Sequence, residues 1–262
     1  MAGDAGRAAA RSFVVKDGAI AGFDVEGPAR ETIDAGGQLV LPGFIDCHTH
    51  AVFTGDRIRE RERRRAGESY ADIAASGGGI LSTVRSVRAA TLEELCAVSR
   101  PRLMALAREG VTTVEVKSGY GLDLDSELKM LEAITRLDAE LPIELSATCL
   151  AAHAVPTGTT RAAYVDFVVE QLLPAVKARA LARCVDVYIE HLAFDLADAR
   201  RIFDLAKRLG FTLHAHCEQL SLMGASELAA RLGASSVSHL EFLDAAGVAA
   251  LARHGTTAVL LP

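Results

Sequence analysis

The chain has 262 residues, half of them apolar, which suits one barrel-sized domain with a large core or two small domains. A formal net charge of −6 without a basic block gives a nucleic acid nothing to bind, so none is expected as a partner. No apolar run reaches the roughly 18–20 residues of a membrane span, and none follows the N-terminal basic residues as a leader would require. Five scattered cysteines predict free thiols, and we expect a cytoplasmic protein.

The N-terminal part of the chain predicts a small β domain. Residues 12–23, SFVVKDGAIAGF, read as two short strands around a hairpin-type turn at Lys16-Asp17-Gly18. Residues 38–45, QLVLPGFI, predict a buried strand that runs into the sequence DCHTH. We therefore divide the chain into a partial β domain over residues 1–40 and a barrel over residues 41–262.

After this strand, predicted helices alternate with predicted strands. The helices lie at 91–109, 126–140, 161–182, 195–209, 224–232 and 244–254. The strands lie at 111–116, 143–150, 185–190, 211–216, 235–240 and 256–261. The first helix opens with a capping box, Thr91-Leu92-Glu93-Glu94, and Pro174 predicts a kink or break in the third.

Seven near-continuous apolar strands joined by helices indicate a parallel sheet that is covered on both faces. No GxGxxG follows the early strands, so a dinucleotide-binding sheet is not supported. The prediction is an α/β fold: a (β/α)8 TIM-type barrel lacking its last strand in this chain, with the small partial N-terminal β domain.

Histidines mark the ends of the predicted strands. Seven of the eight lie at or just beyond a C-terminal strand end, where barrel active sites are built: His48, His50, His153, His191, His214, His216 and His239. The eighth, His254, lies in the last turn of a helix, where a positive charge meets the helix dipole, and is interpreted as structural.

His48 and His50 are two residues apart in a strand, so both face the barrel mouth and can bind one metal ion. HxH alone is common and can be a hydrogen-bonded polar pair, but PGFIDCHTH at a strand end is a much rarer string. His214 and His216 form a second such pair, and one of them could supply a third ligand; spacing does not decide which. His239 could be a ligand, a residue behind the ligands or a base. Imidazole ligands suit zinc or iron rather than magnesium or calcium.

Two further segments are interpreted as structural features rather than as binding sites. Residues 76–79, SGGG, lack the Gly-Lys-Ser/Thr of a phosphate loop and predict a flexible loop over the barrel mouth. Residues 57–65, RIRERERRR, predict a solvated charged face.

Several strings together resemble one family. PGFIDCHTH with GDR shortly after it, SYADIAASGGGILSTV, VKSGYGLDLDSELKML, AHAVP and HCEQLSLMGASELA are similar to imidazolonepropionase, one of the amidohydrolases. The resemblance runs from about residue 12 to the C-terminus, and SGYGL and AHAVP are specific to this family within the larger group.

The resemblance implies hydrolysis of 4-imidazolone-5-propanoate to N-formimidoyl-L-glutamate in histidine degradation, with one zinc or iron ion. The positions that match metal ligands are His48, His50 and His216, and those that match catalytic residues are Gln219 and His239. The positions that match substrate contacts are Arg57, Tyr120, His153, Gln219 and, more weakly, Tyr70. We expect a homodimer that acts on a small molecule.

The sequence also departs from the family pattern. The family's fourth metal ligand is an Asp at the end of the eighth strand, which lies beyond Pro262 and is absent here. Two alternatives therefore stand beside the first interpretation. One is another cyclic amidase or ring deaminase of the amidohydrolase group, and the other is an inactive truncated fragment that associates with other chains through an exposed barrel edge.

Overall fold

The computed structural model describes residues 11–68, 72 and 78–261. The chain divides into two compact units, the first ending at Pro42 and the second beginning at Gly43. In the first unit, β1 (Phe13–Lys16) pairs antiparallel with β2 (Ala19–Phe23), as the turn sequence predicts. Asp17 and Gly18 take the left-handed backbone conformation, with φ of 52° and 77°, that a tight hairpin needs.

The second unit is built around seven parallel strands whose order in the sheet is their order in the chain. The strands are β3 (Phe44–Thr49), β4 (Val111–Lys117), β5 (Glu144–Ala152), β6 (Cys184–Tyr188), β7 (Thr212–Cys217), β8 (Ser236–His239) and β9 (Thr257–Leu260). This confirms the predicted α/β architecture. The consecutive order follows from each strand being joined to the next by helical crossovers.

In the described part of the chain, helices connect the consecutive strands of this sheet. They are α1 (Ile58–Arg65), α2 (Ile80–Ala89), α3 (Leu92–Arg108), α4 (Leu124–Glu140), α5 (Arg161–Phe167), α6 (Leu173–Ala178), α7 (Leu196–Arg208), α8 (Ala225–Leu232) and α9 (Ala245–His254). The capping box predicted at Thr91 is formed, because Thr91 Oγ1 accepts from the Glu94 N–H and the Glu94 carboxylate accepts from the Thr91 N–H. In the described residues, no helix is long and apolar enough to cross a membrane.

Two predicted elements differ from the structure. The strand predicted over 38–45 begins only at Phe44, whose N–H donates to the Gly110 carbonyl at 2.9 Å, and Leu39 to Leu41 are exposed rather than buried. Pro42 has no N–H to donate to a strand ladder, which explains the late start. The helix predicted over 161–182 is interrupted by a π-helical turn, Val168–Leu172, and its last segment ends at Ala178. Pro174 stands near the start of that segment, where its missing N–H is tolerated.

Candidate functional site

Histidines from three strands meet at the C-terminal end of the sheet. The His48 ring lies 4.6 Å from that of His216 and 5.4 Å from that of His239, and the last two are 5.1 Å apart, between centroids. One ligand nitrogen from each of the three lies within 4.8 Å of the other two. These three rings, called the histidine cluster below, could hold one metal ion.

His50 lies at the edge of this cluster. Its ring centroid is 5.4 Å from that of His48 and 5.6 Å from that of His216. On its other side it stacks on His153, with centroids 5.0 Å apart and ring planes 18° from parallel. The assignment of His50 as a second ligand stays a prediction, as does that of His239 as a catalytic residue rather than a ligand.

Three ring nitrogens in this region are buried without a hydrogen-bond partner among the described residues: His48 Nδ1, His50 Nδ1 and His216 Nε2. Burying a polar atom without a partner costs free energy, so such atoms are rare unless something else binds them. A metal ion held by the histidine cluster would give His48 and His216 a partner, and a set of imidazole nitrogens fits zinc or iron. The residues present therefore fit the metal that the sequence predicts.

Three imidazoles at the mouth of the barrel, those of His48, His50 and His153, are held in their neutral form. Burial, with His216 and Lys117 nearby, lowers the pKa of His48 to about 3. Burial, with His216 nearby, lowers the pKa of His153 to about 3 as well. Burial likewise holds the pKa of His50 well below its ordinary value. Neutral rings offer a lone pair, which a metal ligand requires.

A charged network lies beneath the histidine cluster, inside the sheet. Lys117 Nζ donates to Glu115 at 2.8 Å and to Asp186 at 2.9 Å. Thr148 Oγ1 donates to Glu115 at 2.6 Å, and His214 Nδ1 lies 2.7 Å from the same carboxylate. Burial opposes charge on His214, yet its hydrogen bonds with Cys184 and Glu115 raise its pKa to about 9. The positive charges of Lys117 and His214 therefore balance the negative charges of Glu115 and Asp186 within the network.

This network separates the two histidines of β7. His214 Nδ1 contacts the Glu115 carboxylate, whereas the His216 ring lies in the histidine cluster. His216 Nε2 has no hydrogen-bond partner among the described residues. Spacing left the choice between them open, and the resemblance favoured His216. The structure brings His216, not His214, to the other rings.

Sequence reasoning missed three charged members of the network, Glu115, Lys117 and Asp186, and the hydroxyl of Thr148 that contacts them. A usable signal was present, because Glu115 and Lys117 alternate with valines in VTTVEVK, and i and i+2 residues share one face of a strand. Charged residues on an inward face need partners, and their presence predicts a buried polar network.

The backbone is strained where β8 ends. His239 and Leu240 take positive φ angles of 81° and 76°, which side chains with a Cβ adopt rarely and at a cost of about 1–3 kcal/mol each. The Leu240 N–H donates to Cys217 O at 3.1 Å and the Phe242 N–H to Glu218 O at 2.9 Å, so β7 holds this turn in place. Strain of this kind is common at functional sites, and here it falls on a residue of the histidine cluster.

A cavity of about 380 Å³ is lined by Phe53, Gly55, Asp56, Arg57, Thr83, Arg102 and Tyr120. The Tyr120 ring connects it to the imidazoles, since its centroid is 5.6 Å from that of His50 and 5.3 Å from that of His153. Arg57 Nε donates to Thr83 Oγ1 at 3.0 Å, which orients its guanidinium in the cavity wall. Arg57 is thereby distinguished from the charged run that follows it.

Arg102 stabilises the same wall of the cavity. Its guanidinium donates to the carbonyls of Ala51 and Phe53 at 2.9 and 2.7 Å, and it lies 3.8 Å from the centroid of the Phe53 ring. It therefore holds the segment that follows His50.

The SGYGL segment that carries Tyr120 is fixed by a buried carboxylate. Glu127 accepts hydrogen bonds from the N–H groups of Gly119, Gly121 and Leu122 at 3.1, 2.7 and 3.0 Å. Gly119 has φ of 104°, and a Cβ there would lie 2.5 Å from Leu150 O, so only glycine fits. His153 Nδ1 lies 3.1 Å from the Gly119 carbonyl, which can only accept, so this nitrogen carries the proton and Nε2 is left as an acceptor.

Gln219 lies in a short segment after β7 and is half-buried. Two buried carboxylates fix its neighbours: Glu218 accepts from the N–H groups of Ala225 and Ser226, and Glu190 from those of Leu220 and Ser221. The contribution of Gln219 to catalysis stays a prediction. Tyr70 lies outside the described residues.

Comparison with known proteins agrees with this geometry. Residues 39–260 match the model of the amidohydrolase family. The chain is 54% identical over 236 residues to an imidazolonepropionase from Erwinia tasmaniensis, covering 89% of this chain and 58% of that protein. It is 52% identical over 240 residues to an imidazolonepropionase from Hahella chejuensis, covering 90% and 60%. The chain thus spans about three-fifths of the length of these curated relatives.

Solved structures support the fold alone. A 5-methylcytosine deaminase from Klebsiella pneumoniae matches with a TM-score of 0.66 at 19% identity, covering 94% of this chain and 61% of that one. An N-isopropylammelide isopropylaminohydrolase from Burkholderia multivorans matches with a TM-score of 0.60 at 20% identity, covering 92% and 62%. The family model, which matches residues 39–260, shows that the chain belongs to the amidohydrolase family.

Proposed function

We propose that this chain provides the metal-binding and substrate-binding framework of an imidazolonepropionase, which hydrolyses 4-imidazolone-5-propanoate to N-formimidoyl-L-glutamate. The observation that carries the proposal is the cavity that holds the Arg57 guanidinium and whose Tyr120 ring lies beside the rings of His50 and His153. This arrangement suits a small ring with an anionic tail. The identity to imidazolonepropionases over about nine-tenths of the chain supports the same substrate.

The ligands in this proposal are His48, His50 and His216, and the ion is zinc or iron. When bound, the metal would activate water at neutral pH and polarise the amide carbonyl. Arg57 binds the propanoate through charge-assisted hydrogen bonds. His153, which is protonated on Nδ1, offers Nε2 to a ring N–H of the substrate, and Tyr120 packs beside the ring.

His239 and Gln219 serve the proton transfers. Burial, with His216 nearby, lowers the pKa of His239, so its ring is neutral and can accept a proton. Gln219 cannot take up a proton but can orient water or the substrate through its amide. A homodimer remains part of the proposal.

The experiment measures substrate binding and turnover separately on the zinc-loaded and iron-loaded chain. We expect the protein to bind 4-imidazolone-5-propanoate, and any turnover to appear as loss of the ring absorbance with formation of N-formimidoyl-L-glutamate. Cytosine, an aminated ring without a carboxylate, is the comparison substrate. Release of ammonia from cytosine without binding of the imidazolone would favour a ring deaminase and overturn the proposal.

A further inference from the structure

Asp186 connects the charged network to the histidine cluster. Its Oδ1 lies 3.0 Å from His216 Nδ1, and its Oδ2 lies 2.9 Å from Lys117 Nζ. Oδ2 is also 3.0 Å from His216 Nδ1, so the imidazole faces the whole carboxylate. All three side chains are at most 3% exposed.

The chemistry of these groups fixes the position of one proton. Asp186 offers one oxygen to the Lys117 ammonium, which can only donate, and the other to His216 Nδ1, so the carboxylate is the acceptor in both contacts. His216 Nδ1 must therefore carry the ring proton. Nε2 is then left with a lone pair, and it is the buried nitrogen that lacks a partner.

We propose that Lys117 and Asp186 act together as positioning residues that lock His216 in the tautomer whose Nε2 can bind the metal. Lys117 compensates the charge of Asp186 and fixes its orientation, and Asp186 fixes the proton on Nδ1. This inference rests on the metal site in the proposed function. It assigns a role to two buried residues that are not themselves proposed as metal ligands.

Asp186→Asn tests the lock without changing the size of the side chain. The amide has one oxygen, and the Lys117 ammonium, which can only donate, attracts that oxygen. The amide nitrogen then faces His216 Nδ1, which must accept, so the ring proton moves to Nε2. We expect zinc affinity, measured by competition with a chromophoric chelator, to fall about 100-fold, the upper part of the range for loss of an outer-shell partner.

The double variant Lys117→Met/Asp186→Asn should rescue binding. Without the ammonium, the amide oxygen is free to turn toward His216 and accept from Nδ1, while Glu115 keeps its contacts with His214 and Thr148. We expect zinc affinity to return to within about 10-fold of the wild-type value. A purely structural role predicts the opposite, because the second substitution would then add to the damage.

Nitrogen-15 NMR of the histidine rings in the metal-free protein gives a readout independent of metal. The wild type and the double variant should show His216 protonated on Nδ1, and Asp186→Asn should show it on Nε2. Asp138→Asn is the matched control. Asp138 accepts from the Leu145 N–H at 2.7 Å at the start of β5, the opposite end of the strand from the histidine cluster.

The outcomes separate the two proposals, with unfolding curves showing that each variant is folded. A wild-type chain that binds no zinc would remove the metal from the proposed function. A wild type that binds zinc, with Asp186→Asn unchanged or with the double variant no better than the single one, would overturn the tautomer lock alone.

Discussion

The mouth of the barrel and the layer beneath it use histidine in opposite ways. At the mouth, His48 and His153 have pKa values lowered to about 3, because burial disfavours the cation and other imidazoles lie nearby. One layer down, His214 has a pKa raised to about 9, because Cys184 and Glu115 hydrogen-bond to it in spite of its burial. The residue type is the same, and what separates His214 from His48 and His153 is the Glu115 carboxylate that contacts its ring.

The comparison teaches that the two histidines of β7 have different tasks. A buried imidazole nitrogen without a hydrogen-bond partner, such as His216 Nε2, is suited to bind a metal ion. A protonated imidazole in a balanced network is suited to hold strands together. Three predictions, from the largest expected effect to the smallest, test this division.

The largest effect concerns metal binding. His216→Ala should lose more zinc affinity than the roughly 10- to 100-fold that removal of an outer-shell partner costs, because it removes a ligand. His214→Ala is the matched control on the same strand and should stay within about 10-fold of the wild type. Competition with a chromophoric chelator measures both, and equal losses in the two variants would break the distinction.

The second effect concerns stability in the metal-free protein, with a chelator present. The folded-state pKa of His214 is raised from 6.5 to about 9, which corresponds to about 3 kcal/mol. A raised pKa stabilises the fold fully below the unfolded value near 6.5, and this stabilisation is lost as pH rises through about 9. Burial disfavours the Glu115 anion, but His214 and Lys117 lower its pKa to about 2, so acid removes the same interaction only below about 4.5.

His214→Gln should therefore lower the free energy of unfolding most between about pH 4.5 and 6.5, and progressively less toward pH 9. Denaturant unfolding at a series of pH values measures the difference. In a Glu115→Gln background the same substitution should lose most of this pH dependence. A difference that stays constant across this pH range would show that the ion pair does not stabilise the interior.

The smallest effect concerns the cavity beside the mouth. Arg57→Met should weaken binding of 3-(imidazol-4-yl)propanoate to the zinc-loaded chain by about 1.5–3 kcal/mol, the value of a hydrogen bond to a charged group. Binding of 4-propylimidazole, which lacks the carboxylate, should not change. Arg61→Met, in the exposed face of α1, is the matched control. An equal loss of binding in both variants would show that Arg57 is an ordinary member of the solvated charged run.

Part of this site could be predicted from the sequence because it depends on local periodicity. The i, i+2 spacing of His48 and His50 and the position of histidines at strand ends follow from strand geometry and from the rule that barrel sites lie at C-terminal strand ends. The turn at Asp17-Gly18 and the capping box at Thr91 depend on neighbouring residues only, and both are formed. The α/β architecture follows from the alternation of apolar strands and helices, which the structure confirms.

Predictions from the local sequence pattern were wrong where the start or shape of an element depends on contacts between distant residues. The segment 38–43 is as apolar as a strand, but it makes no strand, because Pro42 and the pairing with β4 set the start of β3 at Phe44. The π-helical turn before Pro174 likewise has no local signature that separates it from an ordinary kink.

By itself, then, the sequence determined the order of strands and helices and the end of the sheet at which the imidazoles gather. Only the tertiary structure decided what each imidazole does. His214 meets Glu115 across 99 residues and His216 meets Asp186 across 30. The first contact joins β7 to β4, three places away in the sheet, and the second joins the paired strands β7 and β6. Charge and tautomer depend on the atoms within about 3–4 Å of a ring, and residues so far apart in the chain become neighbours only when the sheet forms.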